Sequence, residues 1–168
     1  FIAVALTTYL PIFMSDTKSA SLWLAAASLT VLEGAGVVGA LATGTYSDKL
    51  GRRRVLTVLY VLAPFVLFGF LAAPEPLLFP LLLALGLTAI SPTPVMMALV
   101  QDYFPQHRAL ANGIFLTANF LTRALAIWVV GWLADSFGLQ TAFLWSGVIG
   151  LATVVGVWML PKDVAVGR

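Results

Sequence analysis

Apolar runs long enough to cross a lipid bilayer follow one another through nearly the whole sequence. A helix rises about 1.5 Å per residue, so roughly 20 residues are needed to cross ~30 Å of hydrocarbon. All runs but the first reach that length, and they cover residues 1–14, 22–46, 54–73, 76–100, 109–134 and 139–160. Because the runs are continuously apolar and do not alternate, they indicate helices rather than strands. The sequence therefore predicts an all-α membrane protein, a six-helix transmembrane bundle that forms a single domain over residues 1–168.

Composition excludes several other classes of protein. Hydrophobic residues make up 61% of the chain and charged residues 10%, and a water-soluble domain with that much apolar surface would expose large aggregating patches. The net charge of +2 comes from basic residues gathered in short loops, so no nucleic-acid partner is expected. The sequence contains no cysteine, which excludes a disulfide framework, a thiolate metal site and a catalytic thiol. A lipid bilayer is the expected surrounding.

A short basic segment, residues 44–54, sets the orientation of the chain. It holds four of the nine basic residues and lies between two long apolar runs, which predicts a tight loop on the cytoplasmic side of the membrane. Since the short connections make neighbouring helices antiparallel, Arg108, Lys162 and Arg168 also fall in the cytoplasm, and only Lys18 falls outside. We therefore expect a multi-pass protein of the cell membrane, the inner membrane in a bacterium, with both ends of the chain cytoplasmic.

Two charged residues lie inside apolar runs. Glu33 is near the middle of the second run and Arg123 near the middle of the fifth. Placing one ionised side chain at the midplane costs roughly 2.5–3.5 kcal/mol even on the lower insertion scale, so each should face the bundle interior, a partner or water. Asn112 and Asn119 precede Arg123 by eleven and four residues, which puts all three on one helix face.

These four residues form the predicted pathway for a substrate and a proton. Arg123 would attract an anionic or polar group of the substrate, helped by Asn119 and Asn112, and Glu33 would take up and release a proton. In the other interpretation, Glu33 and Arg123 pair with each other or with residues elsewhere and only fix the positions of helices.

Nothing in the sequence indicates enzymatic chemistry. The one histidine, His107, lies in a connection between runs, where neither metal binding nor catalysis is expected of it. Asp102 and Asp135 lie at the ends of runs, where solvation or helix capping is expected. The carboxylates and the histidine do not have metal-ligand spacing, and no glycine-rich loop follows a strand. We therefore expect no catalytic residue, no metal and no cofactor.

The basic segment resembles a known signature. Its residues match the pattern G-x-x-x-D-[RK]-x-G-[RK]-[RK] at Gly44, Asp48, Lys49, Gly51, Arg52 and Arg53, which is similar to the cytoplasmic loop of the major facilitator superfamily. The resemblance implies one half of a twelve-helix secondary transporter, in which two six-helix halves enclose a midplane site. It also implies that a proton gradient drives transport and that this segment controls conformational exchange, with Asp48 and Arg52 holding the cytoplasmic side closed.

Other features favour the C-terminal half of such a transporter. The fifth run lacks a Gly-Pro motif, the fourth lacks an arginine near its start, and the chain ends in the polar tail 161–163. The chain begins with Phe1 inside an apolar run, so we expect a fragment with a truncated first span and a missing N-terminal six-helix half as its partner.

The segment from Arg108 to Gly113, with Arg123 and residues 135–139, is similar to fosmidomycin-resistance-type exporters. That resemblance favours the efflux of a drug or small polar metabolite over the uptake of a sugar or peptide, without excluding either. With Glu33 as the proton carrier, we expect proton-coupled antiport through a groove lined by the first, second, fourth and fifth helices. The alternative is a scaffold or assembly subunit that transports nothing, in which Glu33 and Arg123 are packed against a partner and no cavity exists.

Overall fold

The structure, a computed structural model, describes residues 1–159, and all secondary structure in that part of the chain is helical. The helices are α1 (Ile2–Asp16), α2 (Leu22–Leu50), α3 (Arg52–Ala72), α4 (Glu75–Leu85), a π-helical turn (Gly86–Ile90), α5 (Pro92–Tyr103), α6 (Arg108–Phe137) and α7 (Leu139–Met159). The predicted all-α fold is confirmed. The expectations for Lys162, Arg168 and the tail 161–163 lie outside the described residues.

The helices follow the six apolar runs. Five stretches are long and apolar enough to cross a membrane, and the fourth of the six runs becomes one stretch, Glu75–Tyr103, made of α4, the π-helical turn and α5. With 15 residues, α1 is apolar but short, as expected for the first run. The chain is thus a multi-pass membrane protein.

The basic segment is far less loop-like than predicted. Helix α2 continues to Leu50 and α3 begins at Arg52, so Gly51 alone separates them. The prediction of a tight loop over residues 44–54 was wrong in extent, because Ser, Asp and Lys do not break a helix. Gly51 does, since its φ of 93° lies in the left-handed region that glycine enters without a steric penalty.

The best-packed part of the bundle joins α1, α3 and α7. Phe13 lies between Phe70 and Phe143, with ring centroids 5.9 Å and 4.8 Å away, and all three side chains are fully buried. At the end of the bundle predicted to lie outside the cell, the ammonium of Lys18 donates to the carbonyl oxygens of Leu71 (3.1 Å) and Ala73 (3.0 Å). Those carbonyls end α3, where a cation is favourable to the helix dipole.

Helix α2 packs closely against the π-helical turn. A Cβ atom added at Gly86 would lie 2.6 Å from the Cβ of Ala35, and one at Gly39 would lie 3.0 Å from the Cα of Leu87. Thr43 of α2 donates to the carbonyl oxygen of Ser91 at 3.3 Å. The backbones of α2 and the π-helical turn are therefore in close contact. The sequence Ser91-Pro92-Thr93-Pro94 comes directly after this turn.

In contrast, α6 is loosely packed. Only 11% of an 18-residue apolar part of α6 is buried, against 33–39% of the corresponding parts of the other four long stretches. The hydroxyl of Tyr9 in α1 donates to the carbonyl oxygen of Ile127 at 3.2 Å, and α5 and α7 supply further contacts. Much of the surface of α6 is consequently left for contacts beyond this chain.

Candidate functional site

A cavity of about 470 Å³ lies at mid-depth in the bundle, and we call it the central cavity. All six predicted spans contribute side chains to it. The groove predicted from sequence used only the first, second, fourth and fifth spans; the third adds Tyr60 and the sixth adds Thr153. The prediction included too few helices because an apolar run of sequence does not show which of its few polar residues faces the cavity.

Three of the predicted pathway residues meet in the central cavity. Glu33 reaches it from α2, and Asn119 and Arg123 reach it from α6. All three side chains are exposed within this chain, and in residues 1–159 neither Glu33 nor Arg123 forms an ion pair. The cavity thus contains a carboxyl group and a guanidinium that are not paired with each other in the described residues, which leaves both available for contact with a ligand.

Threonine hydroxyls, which the sequence analysis missed, complete the cavity wall. Thr7, Thr88 and Thr153 line the cavity, and each hydroxyl donates its proton to the carbonyl oxygen three or four residues earlier in the chain, at 3.5, 2.7 and 2.6 Å. A hydroxyl whose proton is engaged keeps lone pairs that can only accept. The wall therefore combines the acceptor oxygens of these three threonines with donors from Arg123 and Asn119, and two further threonines, Thr93 and Thr122, also line it. The available signal was the position of these threonines in the middle of apolar runs.

Asn112, the fourth predicted pathway residue, does not line the central cavity. Its Oδ1 accepts a hydrogen bond from Nε2 of Gln101 in α5, at 3.3 Å. It shares a helix face with Asn119, but seven residues of helix place it roughly 10 Å nearer the start of α6. Periodicity shows which residues share a face and does not show which neighbour each one meets.

The signature residues form an ion-pair cluster with a residue that sequence reasoning did not select. Arg52 Nη2 lies 3.4 Å from Asp48 Oδ1, and its Nη1 lies 3.0 Å from Asp102 Oδ2. Nη1 is buried and makes no aligned hydrogen bond, so the second contact is an ion pair only. Asp102 was expected to be solvated or to cap a helix; it pairs with Arg52, and we call Asp48, Arg52 and Asp102 the gate cluster.

The other signature residues are placed differently. Lys49 is exposed, and Arg53 is half-buried. A Cβ added at Gly44 would meet no atom within 4 Å, so Gly44 permits no close helix approach inside the described part of this chain. Among residues 1–159, no group of three or more His, Cys, Asp or Glu side chains could hold a metal ion.

Comparison with known proteins supports a relationship over the whole chain. A family model described as "Major Facilitator Superfamily" matches residues 1–167. An "MFS-type efflux pump" of Mycolicibacterium smegmatis is 31% identical over 143 residues, which cover 79% of this chain and 33% of that protein. A "Probable galactarate/D-glucarate transporter" of Bacillus subtilis is 28% identical over 73% of this chain and 29% of its own length.

A "Gallate transporter" of Pseudomonas putida is likewise 28% identical, over 75% of this chain and 29% of its own length. The chain thus spans about a third of the length of the curated relatives it matches. No solved structure matches it closely enough to count as a relative.

Proposed function

Because the chain belongs to the major facilitator superfamily, we propose that it is half of a secondary active transporter that exports a small polar metabolite or drug by proton-coupled alternating access. The observation that carries this proposal is the central cavity, where Glu33, Arg123 and Asn119 come together without pairing. Members of this family are membrane transporters of small molecules, so a mid-depth polar cavity is where a substrate would bind.

Arg123 and Glu33 have different roles in this proposal. The guanidinium of Arg123 binds an anionic group of the substrate, and its fixed fork of donors suits a carboxylate or phosphate. The carboxyl group of Glu33 takes up a proton on one side of the membrane and releases it on the other, so that proton entry drives substrate exit. No catalytic step and no cofactor is involved.

The threonine acceptors suggest what else the substrate carries. A ligand with hydroxyl groups would donate to Thr7, Thr88 and Thr153 while its anionic group contacts Arg123. Galactarate, D-glucarate and gallate, which appear in the names of two relatives, are hydroxylated carboxylates of this kind. The name of the third, an efflux pump, supports export as the direction.

The missing part of the transporter is proposed to be an N-terminal six-helix half. This chain covers about a third of its relatives, and the exposed surface of α6 together with the open surroundings of Gly44 would receive that partner. In the proposed orientation both ends of this chain lie in the cytoplasm of a bacterial cell, and the gate cluster holds the cytoplasmic side closed through Asp48 and Arg52.

A scaffold without transport is the competing proposal. It requires Glu33 and Arg123 to be packed against each other or against a partner, with no cavity between the helices. Glu33 and Arg123 form no ion pair with each other in residues 1–159, and both line a cavity of about 470 Å³, which argues against the first arrangement. The efflux measurement tests the second.

The test is proton-driven efflux from sealed vesicles that contain the complete transporter, with wild type, Glu33→Gln and Arg123→Ala compared at equal insertion. A hydroxylated carboxylate such as galactarate is the first probe. Loss of a charge-assisted hydrogen bond should raise KM for Arg123→Ala by about tenfold to a hundredfold. Glu33→Gln should remove the dependence of efflux on the pH gradient. Glu75→Gln, which neutralises an exposed carboxylate outside the cavity, is the matched control.

Two results would contradict the proposal. Full proton-driven efflux by both cavity variants would reduce Glu33 and Arg123 to packing groups. No flux from wild type over a broad panel of substrates would favour the scaffold.

A further inference from the structure

The last turn of α5 contacts two helices through neighbouring side chains. Gln101 donates to Asn112 of α6 at 3.3 Å, and Asp102 pairs with Arg52 of α3 at 3.0 Å. Successive residues on a helix point about 100° apart, so these two side chains reach two different helices, α6 and α3, from a single turn. The end of α5 thus lies between the gate cluster and α6.

The α6 end of this connection leads toward the central cavity. Asn119 and Arg123 lie seven and eleven residues beyond Asn112, which is close to two and three full helical turns. A helix transmits a displacement of its first turns along its axis because its backbone hydrogen bonds keep it stiff. A shift of α6 at Asn112 therefore moves the two cavity residues with it.

Within this chain few residues of α6 are buried, and the Gln101–Asn112 hydrogen bond is one of the side-chain contacts that join α6 to the other helices. In the proposed transporter the exposed surface of α6 meets the partner half, so this contact links α6 to the gate cluster of its own half. The contact is also partly shielded from water, where a hydrogen bond is stronger than at an exposed position.

We propose that Gln101 and Asn112 are positioning residues that couple the gate cluster to the central cavity. Opening of the Arg52–Asp102 ion pair releases the end of α5, and the Gln101–Asn112 hydrogen bond carries that movement to α6 and its cavity face. This inference rests on the proposed transport function, and it assigns Asn112 to coupling rather than to substrate contact.

The test measures the movement of α6 without any substrate. A cysteine is introduced at Ala118, which lines the central cavity, in the complete transporter with cysteines of the partner half replaced; this chain has none of its own. The measurement is the rate at which a membrane-impermeant thiol reagent labels that cysteine from the cytoplasmic side. Asp102→Asn weakens the gate cluster and should raise the rate roughly twofold to fivefold, the factor that a partly exposed ion pair supplies.

The decisive comparison repeats Asp102→Asn in backgrounds that lack the hydrogen bond. Gln101→Met and Asn112→Leu keep side chains of similar size, and in each the response to Asp102→Asn should disappear. Gln106→Met makes the same exchange at an exposed loop position and should keep the full response. Exchanging the two amides, Gln101→Asn together with Asn112→Gln, preserves their combined length and should restore it.

Each outcome decides the proposal. An unchanged response in both Gln101→Met and Asn112→Leu overturns it, and so does loss of the response in Gln106→Met. No response to Asp102→Asn in the wild-type background removes its premise. Substrate efflux is measured in parallel. Normal efflux without any coupling in the labelling rates contradicts only the role of Gln101 and Asn112, whereas absent efflux contradicts the proposed transport function.

Discussion

The contact between α2 and the π-helical turn predicts a large effect of one added methyl group at Gly86. A Cβ atom at this position would lie 2.6 Å from the Cβ of Ala35 and 3.0 Å from the backbone nitrogen of Gly36, and it would also meet the carbonyl oxygen of Leu32. Carbon atoms in contact are normally 3.5–4.0 Å apart, so the two helices would have to separate by roughly 1 Å. The obstructing atoms belong to backbone or to a Cβ, so no side-chain rotation can relieve the contact.

The magnitude of the effect follows from a comparison with Gly34. At Gly34, also in α2, an added Cβ would meet nothing within 4 Å. Both Gly→Ala changes gain the same helix propensity, about 0.5–1 kcal/mol, so that gain cancels between them. The difference in stability is then the cost of overpacking, about 1–3 kcal/mol, and the rigid neighbours of Gly86 place it in the upper part of that range.

The assay is equilibrium unfolding in mixed micelles titrated with dodecyl sulfate, followed by circular dichroism, for Gly86→Ala and Gly34→Ala in the same preparation. Gly86→Ala should unfold at a clearly lower detergent fraction than wild type, and Gly34→Ala at the same fraction or a higher one. Equal stability of the two variants, within about 0.5 kcal/mol, would refute the close contact and with it the described packing of α2.

Two further changes test polar contacts between helices with the same unfolding assay. Lys18→Met removes the donor to the carbonyl oxygens of Leu71 and Ala73 and should lower the free energy of unfolding by about 1 kcal/mol, since hydrogen bonds to charged groups are strong but these are only partly buried. Lys18→Arg should recover part of that loss. An unchanged unfolding midpoint for Lys18→Met would count against a stabilising role of Lys18 at the end of α3. Tyr9→Phe removes the hydrogen bond to the carbonyl oxygen of Ile127 and should lower the free energy of unfolding by about 0.6 kcal/mol, the average for such bonds in membranes. A loss several times larger would mean that the hydroxyl stabilises the bundle through more than this one hydrogen bond.

The sequence was sufficient for features that depend on local chemistry. Apolar runs bounded by polar residues predicted the helices, because in lipid a long apolar segment has no stable alternative to a helix. Glu33 and Arg123 lie near the middle of their runs, and both line the central cavity.

Features that depend on how helices cross were not predictable in this way. Asn112 and Arg123 lie on one face of α6, but Asn112 contacts Gln101 of α5 whereas Arg123 lines the central cavity. Asp102 looked like an ordinary solvated end residue, because nothing in a single sequence shows that Arg52 lies beside it. The close contact at Gly86 was also missed, since glycine in a membrane helix can permit close approach, a bend or neither.

Helix α6 carries the cavity residues and is at the same time the least buried of the long helices. Arg123 adds nothing to the core in the described residues, where it lacks an ion pair, and it carries the insertion cost of a charge at mid-depth. A chain that only needed a stable bundle would gain stability by replacing it with leucine. In the proposed transporter that cost is offset when a ligand or the partner half meets the charge. The low burial of α6 and the exposure of Arg123 are what this proposal expects of a site that the partner half completes.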